Sequence, residues 1–109
     1  MHVPLIGWTL LAGAIATEVA STSLLPATHQ FTRPLPVAAV VVGYTASFYL
    51  LARALRYVPL SVTYAVWSAV GTAAIALISV AAFNERMTAF KVLGLALVVG
   101  GVVVLNVAG

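Results

Sequence analysis

Glu18 carries the most chemical consequence in this sequence, because it stands in the middle of an almost uninterrupted apolar stretch from Val3 to Leu25. It is one of only two acidic residues among 109. Placing an ionisable group at that depth in a bilayer is costly, so such a residue is a functional candidate by default. Its neighbours at helical spacing are Leu11, Ala14, Ile15, Ser21, Thr22 and Leu25, a face dominated by small and hydroxylated side chains that permit close approach. Two further stripes follow the i, i+3, i+4, i+7 pattern of one helical face. They are Tyr44, Ser47, Phe48 and Leu51, then Tyr64, Trp67, Ser68 and Gly71. Tyr44 is central in its apolar segment and Trp67 is about 10 Å into the next, both deeper than an interfacial aromatic belt. A carboxylate with aromatic faces and no basic partner at depth suits an apolar cation, held by charge attraction and by cation–π contact. The same residues are compatible with plainer roles. The rings can serve as helix packing, the acid can make an interhelical hydrogen bond, and the hydroxyls can bond back to their own helices.

The elements that must position these groups are legible from hydropathy. The chain is 63% hydrophobic and 6% charged with mean hydropathy +1.16, against about 25% charged in a soluble domain. An integral membrane protein is the only class that fits. Four segments approach or exceed the roughly 20 residues that a spanning helix requires: Val3–Leu25, Leu35–Leu55, Leu60–Phe83 and Phe90–Ala108. The breaks PATHQFTRP, RYVP and NERMTA hold turn formers and charges, and all five prolines fall at span ends. Arg53 and Lys91 lie close enough to the ends to snorkel. The expected fold is a single four-helix transmembrane domain over residues 1–109, with no room for a soluble one. Cysteine is absent and the basic residues form no run, so disulfides, cysteine metal sites and nucleic acid are not indicated. The N-terminus lacks the basic n-region of a cleaved signal peptide, and its apolar run is too long.

Arg33, Arg86 and Lys91 would face one side, and Arg53, Arg56 and the N-terminal amine the other. Three against three sets no orientation, so the chain is expected to insert both ways unless a misplaced span boundary alters the balance. Depth points to a dimer as well. Glu18 is roughly 22 Å from the start of its span and Trp67 roughly 10 Å from the same side, a poor match within one chain. In an inverted neighbour across about 30–34 Å of hydrocarbon the two would be level. The fourth span has no acid and carries Gly94 and Gly101 two turns apart, a small-residue seam suited to helix association. Asn106 reads as interfacial.

At this point the chain is seen to resemble the small multidrug resistance family of transporters, nearly end to end. The resemblance is carried by TEVAST around Glu18, QFTRPLP at Gln30–Pro36, GYTASFYLLA at Gly43–Ala52, VPLSVTYAVWSAVG at Val58–Gly71, and the Gly-x6-Gly of the fourth span. It implies an antiparallel homodimer in a bacterial inner membrane that exchanges protons for organic cations, with no cofactor and no enzymatic step. A heterodimer with a paralogue is the variant of that assembly. The shared proton and substrate carboxylate maps onto Glu18. The aromatic site residues map onto Tyr44, Tyr64 and Trp67, with Trp8, Ala14, Thr22, Ser47 and Phe48 as lesser lining. The bend of the third helix maps near Gly71, and the dimer contact onto Gly94 and Gly101. There are departures. Pro26 replaces a Lys that often follows the first helix. Ala69 replaces the first of two bend glycines. Ser21 stands where guanidinium exporters usually carry Trp, which favours the quaternary-ammonium branch. Export of guanidinium or polyamines stays open, and so does a proton-carrying subunit of a rotary ring, which needs a lone buried carboxylate but no aromatic cluster.

Overall fold

The computed structural model describes residues 3–108, so the N-terminal amine of the charge count lies outside the described residues. Every spanning segment becomes a helix because hydrocarbon offers the backbone no hydrogen-bond partners, which overrides the poor helix propensity of Val and Gly. The four helices are α1 (Leu5–Leu24), α2 (Pro34–Ala54), α3 (Leu60–Ala82) and α4 (Ala89–Ala108). All are long and apolar enough to cross a membrane, and there is no strand among the described residues. The protein is an all-α, multi-pass membrane fold.

Proline sets where helices start. Pro4 and Pro59 occupy the N-cap positions of α1 and α3, and Pro34 opens α2, where a missing N–H removes no bond. The α1–α2 connection is a 3-10 turn, Leu25–Thr28, with Pro26 in its first turn. Three residues with left-handed backbone follow: His29, Gln30 and Phe31 (φ 47°, 62° and 66°). This unfavourable run is held by buried Thr28. Its hydroxyl donates to the Leu25 carbonyl (2.7 Å) and accepts from the Phe31 N–H (3.3 Å), while its carbonyl accepts from Thr32 and Arg33 (3.0 and 3.1 Å). After α3, Asn84 takes the left-handed conformation (φ 56°), and the Glu85 N–H donates to the Ser79 carbonyl at 3.0 Å.

α1 packs against both α2 and α3, whereas α4 leans chiefly on α3. The molecule measures 45 × 35 × 17 Å, less than two helix diameters thick at about 10–12 Å each. Leu11, Ile15, Val19 and Ala54 form the core, with Trp8, Leu51, Val66 and Ile75 packed against it. No residue of α4 is buried. The seam between α1 and α2 is fastened by a hydroxyl: buried Ser47 donates to the Ala14 carbonyl across the interface at 2.7 Å. Since that carbonyl keeps its helical role, Ser47→Ala should lose about 1 kcal/mol. Thermal unfolding in detergent checks this, with ligand binding expected to be retained.

Candidate functional site

Helical spacing puts Thr22 one turn beyond Glu18, and its hydroxyl donates to Glu18 Oε1 at 3.1 Å. The Tyr44 hydroxyl on α2 lies 2.7 Å from the same Thr22 oxygen. A threonine has one proton to give, so with Thr22 donating to the carboxyl, Tyr44 must donate to Thr22. The result is a directed chain, Tyr44 to Thr22 to Glu18, that orients one carboxyl oxygen. The other, Oε2, is buried and has no hydrogen-bond partner among the described residues. Nor does Glu18 form an ion pair among them. α3 approaches here through Gly71, where a Cβ would stand 3.8 Å from Oε2. The absence of a side chain at Gly71 therefore lets the α3 backbone come close to the orphan oxygen.

Glu18 and Gly71 both line a cavity of about 790 Å³ that runs between α3 and α4. Tyr64, Trp67, Ser68 and Gly71 line one end of it from α3, with Glu18 from α1. Ile75 and Ala76 on α3 face Leu95 and Val98 on α4 along its length, and Glu85, Met87 and Lys91 lie at the other end. Trp67 is the centre of an aromatic cluster. Its ring meets Tyr64 edge-on at 5.7 Å and Phe48 at 6.1 Å, with interplanar angles of 76° and 77°. The cavity thus offers an unbalanced carboxyl, aromatic rings and an apolar lining, the ingredients for a lipophilic cation.

The expected site residues divide into groups. Glu18, Tyr64, Trp67 and Gly71 share the cavity wall, with Thr22 and Tyr44 behind Glu18 and Phe48 behind Trp67. Ala14 and Ser47 are buried in the α1–α2 seam, and Trp8 packs on the core, none of them on that wall. Gly94 lines the cavity from α4. Neither it nor Gly101 would bring a Cβ within 4 Å of another atom, so the face of α4 that carries them is open. α3 runs as one helix through Gly71. Buried Ala69 sits beside that position, and Ser21 is buried in the α1–α2 seam, facing Gly43 rather than the cavity.

One expectation needs correction. Depth alone separated Glu18 from Trp67 within a chain, yet both line the same cavity of one chain. Glu18 meets α3 at Gly71, one turn of about 6 Å beyond Trp67. The depth mismatch therefore gives no support to an inverted partner. Thr72, Ile75 and Ser79 were missed, although they continue the Ser68 stripe at the same helical spacing. Lys91, expected only to snorkel, pairs with Glu85 at 3.7 Å and donates to the Arg86 carbonyl at 2.7 Å.

Residues 6–98 match the family model described as Small Multidrug Resistance protein. The chain is 50% identical over 99 residues to "Nicotine metabolites export pump subunit NepA" of Paenarthrobacter nicotinovorans, covering 91% of this chain and 85% of that one. It is 41% identical to "Quaternary ammonium compound-resistance protein QacE" of Escherichia coli, covering 92% of this chain and 91% of that one. To "Multidrug transporter EmrE" of E. coli strain K12 it is 40% identical, covering 88% and 87% respectively.

Proposed function

Since the chain belongs to the small multidrug resistance family, we propose that it exports lipophilic and quaternary ammonium cations in exchange for protons, with Glu18 holding proton and substrate in alternation. The observation that carries this reading is the orphan Oε2 of Glu18 at the head of an aromatic, apolar cavity. Holding a lone carboxylate away from water costs free energy. Either a proton or a substrate cation relieves that penalty, and the two compete because they neutralise the same charge. On the alkaline side the cation displaces the proton, and on the acidic side the proton displaces the cation. Trp67 and Tyr64 add about 0.5–2 kcal/mol of cation–π attraction per well-placed ring, and the Tyr44–Thr22 chain keeps the carboxyl aimed at the cavity.

We take the working unit to be a dimer in a bacterial inner membrane, closed through the open Gly94–Gly101 face of α4, with small residues admitting a close helix pair. If its two copies are inverted, exchanging their conformations swaps the openings, and alternating access needs only a modest rearrangement. The near balance of basic side chains, three facing one side and two the other, favours that arrangement, with a bend at Gly71 as the moving joint. Two relatives named as subunits of a nicotine-metabolite export pump support a heterodimer with a paralogue as the variant assembly, with small metabolites as further substrates.

The decisive experiment uses purified protein in liposomes with an acidic lumen. Labelled tetraphenylphosphonium should accumulate inside and be released by a protonophore. Accumulation no greater than in protein-free liposomes overturns the proposal.

A further inference from the structure

We infer that the cavity is a two-ended site for elongated dications, Glu18 binding one cationic centre at depth and Glu85 the other at the mouth. This rests on the reading of Glu18 as a cation site and extends it to substrate selection. Both acidic side chains of the chain line this one cavity, although 67 positions separate them in sequence. The scale of the site is set by the two points on α3 where these residues attach. Glu18 Oε2 lies beside Gly71, and the backbone of Glu85 is tied to the Ser79 carbonyl at 3.0 Å. Gly71 and Ser79 are eight residues apart, about 12 Å along the helix. The wall between carries no charge: Ile75 and Ala76 face Leu95 and Val98, a lining that suits a methylene chain.

Lys91 masks the outer acid. Its ammonium lies 3.7 Å from Glu85 Oε1, with both side chains about half exposed (48% and 56%). Ion pairs so placed are weak. Lys91 also donates to the Arg86 carbonyl at 2.7 Å, so it keeps a partner when Glu85 turns to a ligand. A monocation engages Glu18 and leaves the pair intact. A long dication reaches both acids and displaces Lys91 from one. Along an extended chain each bond advances about 1.2 Å, so the eleven bonds of a bis-trimethylammonium alkane with ten methylenes span about 13 Å. A four-methylene homologue reaches about half as far and cannot bridge.

The test is displacement of bound tetraphenylphosphonium from purified full-length protein by the ten- and four-methylene bis-quaternary compounds. Glu85→Gln should weaken the long dication about fivefold, the scale of one half-exposed ion pair. It should leave tetraphenylphosphonium and the short homologue within about twofold. Lys91→Gln should tighten the long compound alone. Equal binding of the long dication to wild type and Glu85→Gln, with tetraphenylphosphonium still bound, overturns this inference and leaves the cation site standing. Tetraphenylphosphonium binding that survives Glu18→Gln unchanged overturns the cation site and this inference with it.

Discussion

Glu18→Gln is expected to abolish proton-driven cation transport, reducing tetraphenylphosphonium accumulation to the level of protein-free liposomes. Two losses combine. At an effective dielectric constant near 20, a carboxylate and a cation 5 Å apart attract by about 3 kcal/mol. Part of this offsets desolvation, so removing the charge should weaken cation binding by about 2 kcal/mol, roughly thirtyfold. The second loss is absolute. An amide takes up no proton in this pH range, so even a cation that still binds cannot be exchanged for one. The substitution is nearly isosteric and its amide oxygen can still accept from Thr22, which stands 3.1 Å from Oε1. The variant should therefore fold, and its unfolding temperature in detergent should stay close to wild type. Transport that persists and still follows the pH gradient would sink the assignment of Glu18. A variant that unfolds would be replaced by Glu18→Asp, which restores a carboxyl and should restore coupling.

Gly43→Ala is expected to disrupt the α1–α2 seam that holds α1, and with it Glu18, in register. A Cβ at Gly43 would fall within the van der Waals envelope of Ser21 Oγ, 3.2 Å from Ser21 Cβ and 3.7 Å from the Thr17 carbonyl. Ser21 cannot simply turn aside. It is buried and its hydroxyl donates to that Thr17 carbonyl at 2.7 Å. Two effects oppose each other. Alanine is the better helix former by about 0.8–1 kcal/mol in water, but in hydrocarbon the backbone is held helical already, so little of that gain is realised. Overpacking a tight core costs about 1–3 kcal/mol. The overpacking wins, and a net loss of about 1–2 kcal/mol should appear as a lower unfolding temperature. Ser21→Gly in the same chain removes both close contacts and should recover most of the loss, a coupling that a double-mutant cycle reads directly. Additive effects of the two substitutions would refute the account. The same geometry explains why a small residue stands at position 21, since a bulky side chain there would drive into α2.

The fold and one wall of the candidate cavity are legible in the sequence. Four helices lie where hydropathy put four spans, because length and apolarity leave a chain in hydrocarbon few other ways to satisfy its backbone. The Tyr64, Trp67, Ser68 and Gly71 stripe forms one wall of the cavity, as its spacing required. The α2 stripe was legible only as a stripe. Tyr44 turns to Thr22, Ser47 to a carbonyl of α1, Phe48 to Trp67, and Leu51 to the core. A face more than 100° wide meets different neighbours along its edges, and periodicity reports the face without the neighbour. The outer end of the cavity was missed for a related reason. Glu85 lies in a loop, where no periodicity marks which side chains point inward, and only the turn at Asn84 brings it back beside Ser79, whereas Lys91 shares the helical face of Gly94, Leu95 and Val98 and was legible by spacing.

The sequence by itself determined membrane residence, the number of crossings and the presence of one acid where water is scarce, since all three follow from transfer energies that depend on residue type and local order. Tertiary structure decided what surrounds that acid. A helix crossing sets Gly71 beside Oε2, pairs Tyr44 with Thr22, and brings Trp67 to the same cavity despite their different depths. Such contacts depend on the rotation and tilt of each helix about its own axis. Packing between neighbours fixes those angles, and no single helix carries them in its own residues.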